Sequence, residues 1–285
     1  MTAEPGHQPP GPVDGSRTDR AFCVLAPNPS IMTLDGTNTW LIAEPGSTTA
    51  VAVDPGPGDE SHLRRVLATA DSRGQRITSI VLTHRHPDHS DGAPRLAELT
   101  RAPVRAVDPA HRLGSEGLTA GDVVTGGGCE LRVIATPGHT TDSVCLFLPA
   151  DGAVLTGDTV LGRGTTVIGT DGSLTDYLGS LHELRALVEE TGVRSLLPGH
   201  GPLLPDAAGT LDYYLTHRAE RLAEVQAALA AGDRTLAEIV ARVYAAVDKK
   251  LWPFAEWSVR AQLEYLDTRG DLPAEMEVPP VPSGS

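Results

Sequence analysis

The chain of 285 residues predicts an α/β fold in four layers: two β-sheets packed face to face, helices on the outside, and a small helical domain after them. Three observations predict it. Between about residue 22 and residue 205, short apolar runs each end in Gly, Pro, Asp or His. These runs fall into two clusters, and helical patterns follow each cluster. Beyond 205 the strand pattern stops and only amphipathic helical segments remain. The reading is therefore a sandwich domain over 21–205 and a helical domain over 206–272, with disordered tails at 1–20 and 273–285.

The elements follow in order. "TWLIAE" and "AVAVDPGPG" form a strand pair turning at Pro45-Gly46. "DESHLRRVLATADSRG" is a helix, with Leu63, Val66, Leu67 and Ala70 at three-to-four spacing and Gly74 as its stop. "SIVLTH" is a strand, "DGAPRLAELT" a short helix and "PVRAVD" a strand. "ELRVIATPGHT", "SVCLFLPADG" and "AVLTGDTVL" are three further strands. A helix over "SLTDYLGSLHELRALVEETG" and a strand over "SLLPGHG" complete the sandwich. In the helical part, Leu211, Leu215, Leu222, Val225 and Leu229 share one stripe, Thr235 and Glu238 form a capping box, and a third helix runs through "AEWSVRAQLEYLDTRG".

Bulk properties narrow the function. With 23 basic and 37 acidic side chains, the net charge of −14 disfavours non-specific attraction to phosphate backbones. The helical domain is close to neutral and lacks a basic face, so DNA is not an expected partner. Lys249 and Lys250 are the only lysines, the coding bias of a GC-rich bacterial genome. Three cysteines form no C-x-x-C pair, and Cys145, inside "SVCLFL", reads as an inert buried thiol. No apolar run reaches the roughly 18 residues of a membrane span. The N-terminal stretch has no apolar core of a signal peptide, so a cytoplasmic protein without a membrane partner is expected.

The chemistry concentrates in "THRHPDHSDG", where three histidines and two aspartates follow the apolar run Ile80, Val81 and Leu82. "TPGHT", "LTGDT" and "LPGHG" likewise place His139, Asp158 and His200 after a strand, each with glycine beside the ligand-type side chain. Strand ends converging on one rim of a sandwich gather His84, His86, Asp88, His89, His139, Asp158 and His200. That is enough for two divalent cations of borderline softness, zinc foremost.

These motifs resemble the metallo-β-lactamase superfamily of αββα metallohydrolases. The resemblance implies that His84, His86 and His139 hold one metal, Asp88, His89 and His200 the other, and that Asp158 bridges both. An aspartate rather than a cysteine at 158 is the pattern of the hydrolase branches, so antibiotic hydrolysis is not the expected activity. "NPSIMTLDGTNTWLI", "GDTVLGRGTTVI", "DYLGSLHELR" and "YLTHRAERL" are similar to the β-lactamase-like-protein-2 subfamily, over about residues 22–270. That subfamily adds a C-terminal winged-helix-like domain. Its animal member is a single-strand-selective endoribonuclease and its fungal relatives are polyketide-releasing thioesterases. Two departures are Asp91, where glycine is usual, and Gln262, where histidine is expected. The first adds negative charge near the site mouth.

The expected activity is therefore hydrolysis of a small ester or thioester by water made acidic at a metal pair. A single-stranded RNA endonuclease is the alternative. A non-catalytic binding protein and a mononuclear iron dioxygenase are further alternatives that the surplus of ligands disfavours. Asp88 is the expected catalytic acid-base group. Asp54, ending "VAVDPG", is expected to accept from a ligand histidine's free N–H. Tyr214, His217, Arg218 and Arg221 form a stripe with an expected substrate-facing role. His7, His62, His111 and His182 are not assigned one. Oligomeric state is not readable from the sequence.

Overall fold

The computed structural model describes residues 13–276 and 278. The first sheet takes its strands in sequence order: β1 (Gly15–Ser16), β2 (Ala21–Leu25), β3 (Asn38–Ile42), β4 (Thr49–Val53), β5 (Arg76–Val81) and β6 (Val104–Arg105). Helix α1 (Glu60–Ser72) makes the crossover that sets β4 and β5 parallel. The short α2 (Pro87–Ser90) and α3 (Ala93–Thr100) lie between β5 and β6. The second sheet contains β7 (Val123–Gly126), β8 (Cys129–Ala135), β9 (Val144–Leu148), β10 (Ala153–Gly157) and β11 (Ser195–Pro198), in the order β11-β10-β9-β8-β7. Helix α4 (Leu174–Thr191) is the crossover between the parallel pair β10 and β11.

Alternation along each strand explains the layering. Val51 and Val53 of β4 and Leu146 and Leu148 of β9 point into the space between the sheets. Ala52 points outward onto α1 and α3, and Cys145 and Phe147 point outward onto α4. Both faces of both sheets are thus covered, which is why these strands read as continuous apolar runs.

The helical part comprises α5 (Ala207–Ala230), α6 (Leu236–Val243) and α7 (Trp252–Thr268). The capping box expected at Thr235 and Glu238 is present at the start of α6. Helix α5 serves both cores. Leu211 and Tyr214 pack with α4 against the second sheet, while Val225, Ala228 and Leu229 pack with α6 and α7. No strand occurs in this part among the described residues.

The expected tails need correction where they are described. Residues 13–20 pair with β2 through β1, and Arg20 bonds Glu44 and Asp151, each at 2.6 Å. Met276 is buried with α5–α7. Residues 1–12, 277 and 279–285 of the expected tails lie outside the described residues. The strand expected over "PVRAVD" pairs only at Val104–Arg105, and β7 is an addition to the expected set.

Candidate metal centre

The polarity of the strands brings the ligand-type residues together. β4, β5, β8, β10 and β11 all run towards one rim, and Asp54, His84, His139, Asp158 and His200 follow their C-terminal ends. Open α/β sheets present ligands at this edge. The motif after β5 then turns into α2, with Pro87 in its first turn and His86 just before it. The helical turn sets Asp88 and His89 towards His200 while His84 and His86 face His139, so one short segment contributes to two groups, with the His84 and His89 rings 4.2 Å apart between centroids. Arg85 ties this segment to the second sheet through Asp142 at 2.8 Å.

Three groups of ligand atoms result, the atoms of each lying within 4.8 Å of one another: His84 with His86 and His139, Asp88 with His89 and His200, and His84 with His89 and Asp158. The first two share no residue. The third takes one histidine from each and adds Asp158. Close approach needs small neighbours here. A Cβ on Gly199 would lie 2.6 Å from Asp158 Oδ1 and 2.7 Å from His89 Cε1, so glycine at 199 is what lets β11 pass beside the centre.

Each histidine has a partner on its outer nitrogen. His89 Nδ1 donates to Asp54 Oδ2 at 2.9 Å, His139 Nδ1 to the carbonyl of Val167 at 3.1 Å, and His200 Nδ1 to the carbonyl of Gly36 at 3.1 Å. Thr83 Oγ1 donates to Asp54, which leaves it to accept from His84 Nδ1 at 3.1 Å. These bonds fix the tautomers and leave the Nε2 lone pairs of four histidines converging inward. His86 is turned the other way: its Nδ1 lies 3.0 Å from His139 Nε2, and its Nε2 lies 3.6 Å from Asp171 Oδ2. Asp171 also holds Arg85 at 2.8 Å. The neighbouring His86 imidazole, with Arg85, keeps its carboxyl below the usual range.

The donor set fits divalent cations. His84 Nε2 and Asp158 Oδ1 are buried and have no hydrogen-bond partner in the protein, although they face the centre. Electrostatics agree. Burial opposes charge on His89, yet Asp158, Asp54 and Asp88 outweigh it and raise its pKa well above the ordinary value. His200 behaves alike, with burial overcome by Asp158 and the pKa raised to about 9. Burial and the neighbouring His89 push His84 the opposite way, well below. The carboxylates therefore favour positive charge at the centre, and nitrogen and carboxylate donors of this kind suit zinc-like ions. Asp88 and His86, whose side chains are 30% and 33% exposed, are the open side.

The residues of the α5 stripe divide. Tyr214, expected to face substrate, is buried, and its hydroxyl bonds Leu161 N at 2.8 Å and the carbonyl of Gly164 at 3.0 Å. It sits three residues after Leu211, on the face turned towards the sandwich, so its role is to hold the loop after β10. Arg218 is buried too, donating to the carbonyl of Thr166 and lying over the Tyr177 ring. His217, Arg218 and Arg221 nevertheless line a cavity of about 330 Å³ between that loop, Ile31-Met32 and α7. Sequence reasoning missed Asp171, Thr83 and the carbonyls of Gly36 and Val167. Only the density of polar residues in "GTDGS" marked Asp171, and backbone carbonyls leave no trace in a sequence.

Residues 32–200 match the model of the metallo-beta-lactamase superfamily, and residues 235–273 match that of the beta-lactamase associated winged helix domain. The chain belongs to the metallo-beta-lactamase superfamily. A relative in Drosophila melanogaster, "Beta-lactamase-like protein 2 homolog", is 31% identical over 90% of this chain and 90% of its own. An "Atrochrysone carboxyl ACP thioesterase" of Aspergillus fumigatus is 30% identical over 74% of this chain and 65% of its own. A solved structure of a beta-lactamase domain protein from Burkholderia ambifaria superposes with a TM-score of 0.73 at 23% identity, covering 90% of this chain and 88% of its own. At that identity the likeness establishes the superfamily fold, including the helical addition. Among the described residues no helix is long and apolar enough to cross a membrane.

Proposed function

We propose that this superfamily member is a dinuclear hydrolase of small esters or thioesters, and that zinc is its metal. His84, His86 and His139 would hold one cation and Asp88, His89 and His200 the other, with Asp158 shared between them. The observation that carries this reading is the pattern of the three ligand groups, two of them disjoint and the third joining them through Asp158. Bound cations supply the Lewis acidity and the activated water, so no side-chain nucleophile is needed. The protein's own residues do the rest. Asp54, Thr83, Asp171 and the two carbonyls hold the imidazoles in one tautomer and orientation. Asp88 is kept ionised: burial works against it, but His89 and His200 bring its pKa below the usual value. A carboxylate in that state accepts the proton of the attacking water and passes it to the leaving group.

The substrate class rests on several supports. The Aspergillus relative is named as a thioesterase. A net charge of −14 gives RNA little long-range attraction, and aromatic residues at 4% offer little surface for stacking bases. The cavity beside the rim is lined largely by apolar side chains. Single-stranded RNA is the competing substrate, through the similarity to the β-lactamase-like-protein-2 subfamily. The test is a screen of acyl thioesters, aryl esters, lactones and single-stranded RNA, with Asp158→Ala in parallel. Metal-dependent ester or thioester turnover that disappears in the variant is expected. RNA cleavage without ester turnover, lost in the same variant and falling with salt at about −0.7 per neutralised phosphate, would overturn the substrate assignment.

A further inference from the structure

The cavity of about 330 Å³ shares two walls with the metal centre. Val167 lines it with its side and accepts the His139 Nδ1 proton with its carbonyl. Ile31 and Met32 line the opposite edge, and the loop that carries them ends at Gly36, whose carbonyl accepts from His200. Tyr244, Leu251 and Phe254 also line it. Ile31 is 58% exposed and Met32 38%, an apolar lip at the entrance. A volume of this size lies at the lower end of small-molecule sites.

One wall is different in kind. Along α5, His217, Arg218 and Arg221 all face the cavity, and each keeps one buried nitrogen without a partner: His217 Nδ1, Arg218 Nε and Arg221 Nε. Their other groups are engaged. Arg218 donates to Thr166, and Arg221 bonds Glu224 Oε1 at 2.6 Å. Two of these atoms are guanidinium N–H donors, and His217 Nδ1 donates in one of its two neutral tautomers. Buried polar groups are costly to leave unpaired, so this wall of the cavity marks a place where an acceptor belongs. The charge can be counted. Two guanidiniums against the Glu224 carboxylate leave one positive charge in excess. Burial and the two guanidiniums push the His217 pKa down to about 4, so it adds a hydrogen-bonding group and no charge. One excess charge matches a carboxylate better than a doubly charged phosphate.

We propose that this cavity binds the uncleaved part of the substrate, an apolar acyl chain or ring that ends in a carboxylate held by Arg218, Arg221 and His217. Calling the ligand a substrate rests on the hydrolase reading; the binding itself does not. In that arrangement the apolar portion lies along Val167, Met32 and Phe254, and the anion anchors the end farther from the bond to be cut. Ligand binding and metal orientation meet in the shared walls at Val167 and the loop before Gly36.

Calorimetric titration with octanoate and with octanamide, its neutral counterpart of the same shape, tests this without any turnover. Octanoate is expected to bind the metal-loaded protein at least about tenfold more tightly than the amide, about 1.4 kcal/mol. Arg221→Gln should abolish that preference. Ser258→Leu, which fills the cavity from α7, should weaken both ligands, and a melting curve verifies that each variant is folded. Asp158→Asn should keep the preference, because the anion does not sit on the metals. Equal affinities for acid and amide, a preference that survives Arg221→Gln, or one that vanishes in Asp158→Asn would each overturn the proposal. Failure of the hydrolase reading would instead appear as absent turnover with the octanoate preference intact.

Discussion

Asp54 Oδ2 lies 2.9 Å from His89 Nδ1, and the same carboxylate holds Thr83 through its backbone N–H at 2.8 Å and its hydroxyl at 2.7 Å. Asp54 achieves this from a left-handed backbone conformation, φ +51°, which an aspartate tolerates better than most side chains. One buried carboxylate therefore orients His89 directly and His84 by way of Thr83. Asp54→Ala should weaken metal at both halves of the centre, by roughly 10–100-fold, in competition titrations with a chelator. Unchanged affinity at both would show that the imidazoles need no such support.

Asp171 offers a contrast, since among the histidines of the candidate centre it faces only His86. Asp171→Ala should loosen the metal of the His84, His86 and His139 group, again by about 10–100-fold, and spare the other. Stepwise loss of one equivalent at a chelator concentration that leaves the wild type loaded is the expected result. Simultaneous loss of both equivalents would contradict the separation of the two groups.

Gly199→Ala places a methyl where Asp158 Oδ1 and His89 Cε1 already stand, at 2.6 and 2.7 Å. Neither can retreat without leaving the centre. The variant should keep its far-ultraviolet circular dichroism but bind less than the wild-type complement of metal, as read by elemental analysis.

His62 carries a pH dependence of its own, remote in sequence from the residues of the candidate centre. It is buried, with Nε2 2.9 Å from Thr39 Oγ1, and burial pushes its pKa from 6.5 down to about 4. The unfolded chain therefore binds the proton first. The resulting stability is complete above about pH 6.5 and is lost as the pH falls towards 4, by at most about 3 kcal/mol. Denaturant unfolding at pH 7 and pH 5 should show a smaller acid loss for His62→Gln than for the wild type. Equal losses would place the acid sensitivity elsewhere.

How much of this was legible in the sequence follows from where each interaction is encoded. The ligand-type side chains could be read because their chemistry is confined to a few residue types, and because glycine and a preceding apolar run mark a strand end. Asp54 was legible for the same reason. Asp171 was not, because it stands in a loop without a motif and reaches His86 only through the fold. The α5 stripe shows the limit of helical periodicity. Tyr214 and His217 are polar neighbours in sequence, yet one faces the sandwich and the other the cavity, because α5 packs against two bodies at once. Residues 13–20 looked unstructured by composition, and what orders them is long-range: the pairing of β1 with β2 and the bonds from Arg20 to Glu44 and Asp151.

The proposed centre holds two cations in disjoint ligand groups that meet at Asp158. Metal content per chain, measured by elemental analysis on the wild type and on His89→Ala, tests it most directly. About two equivalents, with zinc predominant, are expected for the wild type, and about one for the variant with its fold intact. A single iron per folded wild-type chain, unchanged by His89→Ala, would contradict it.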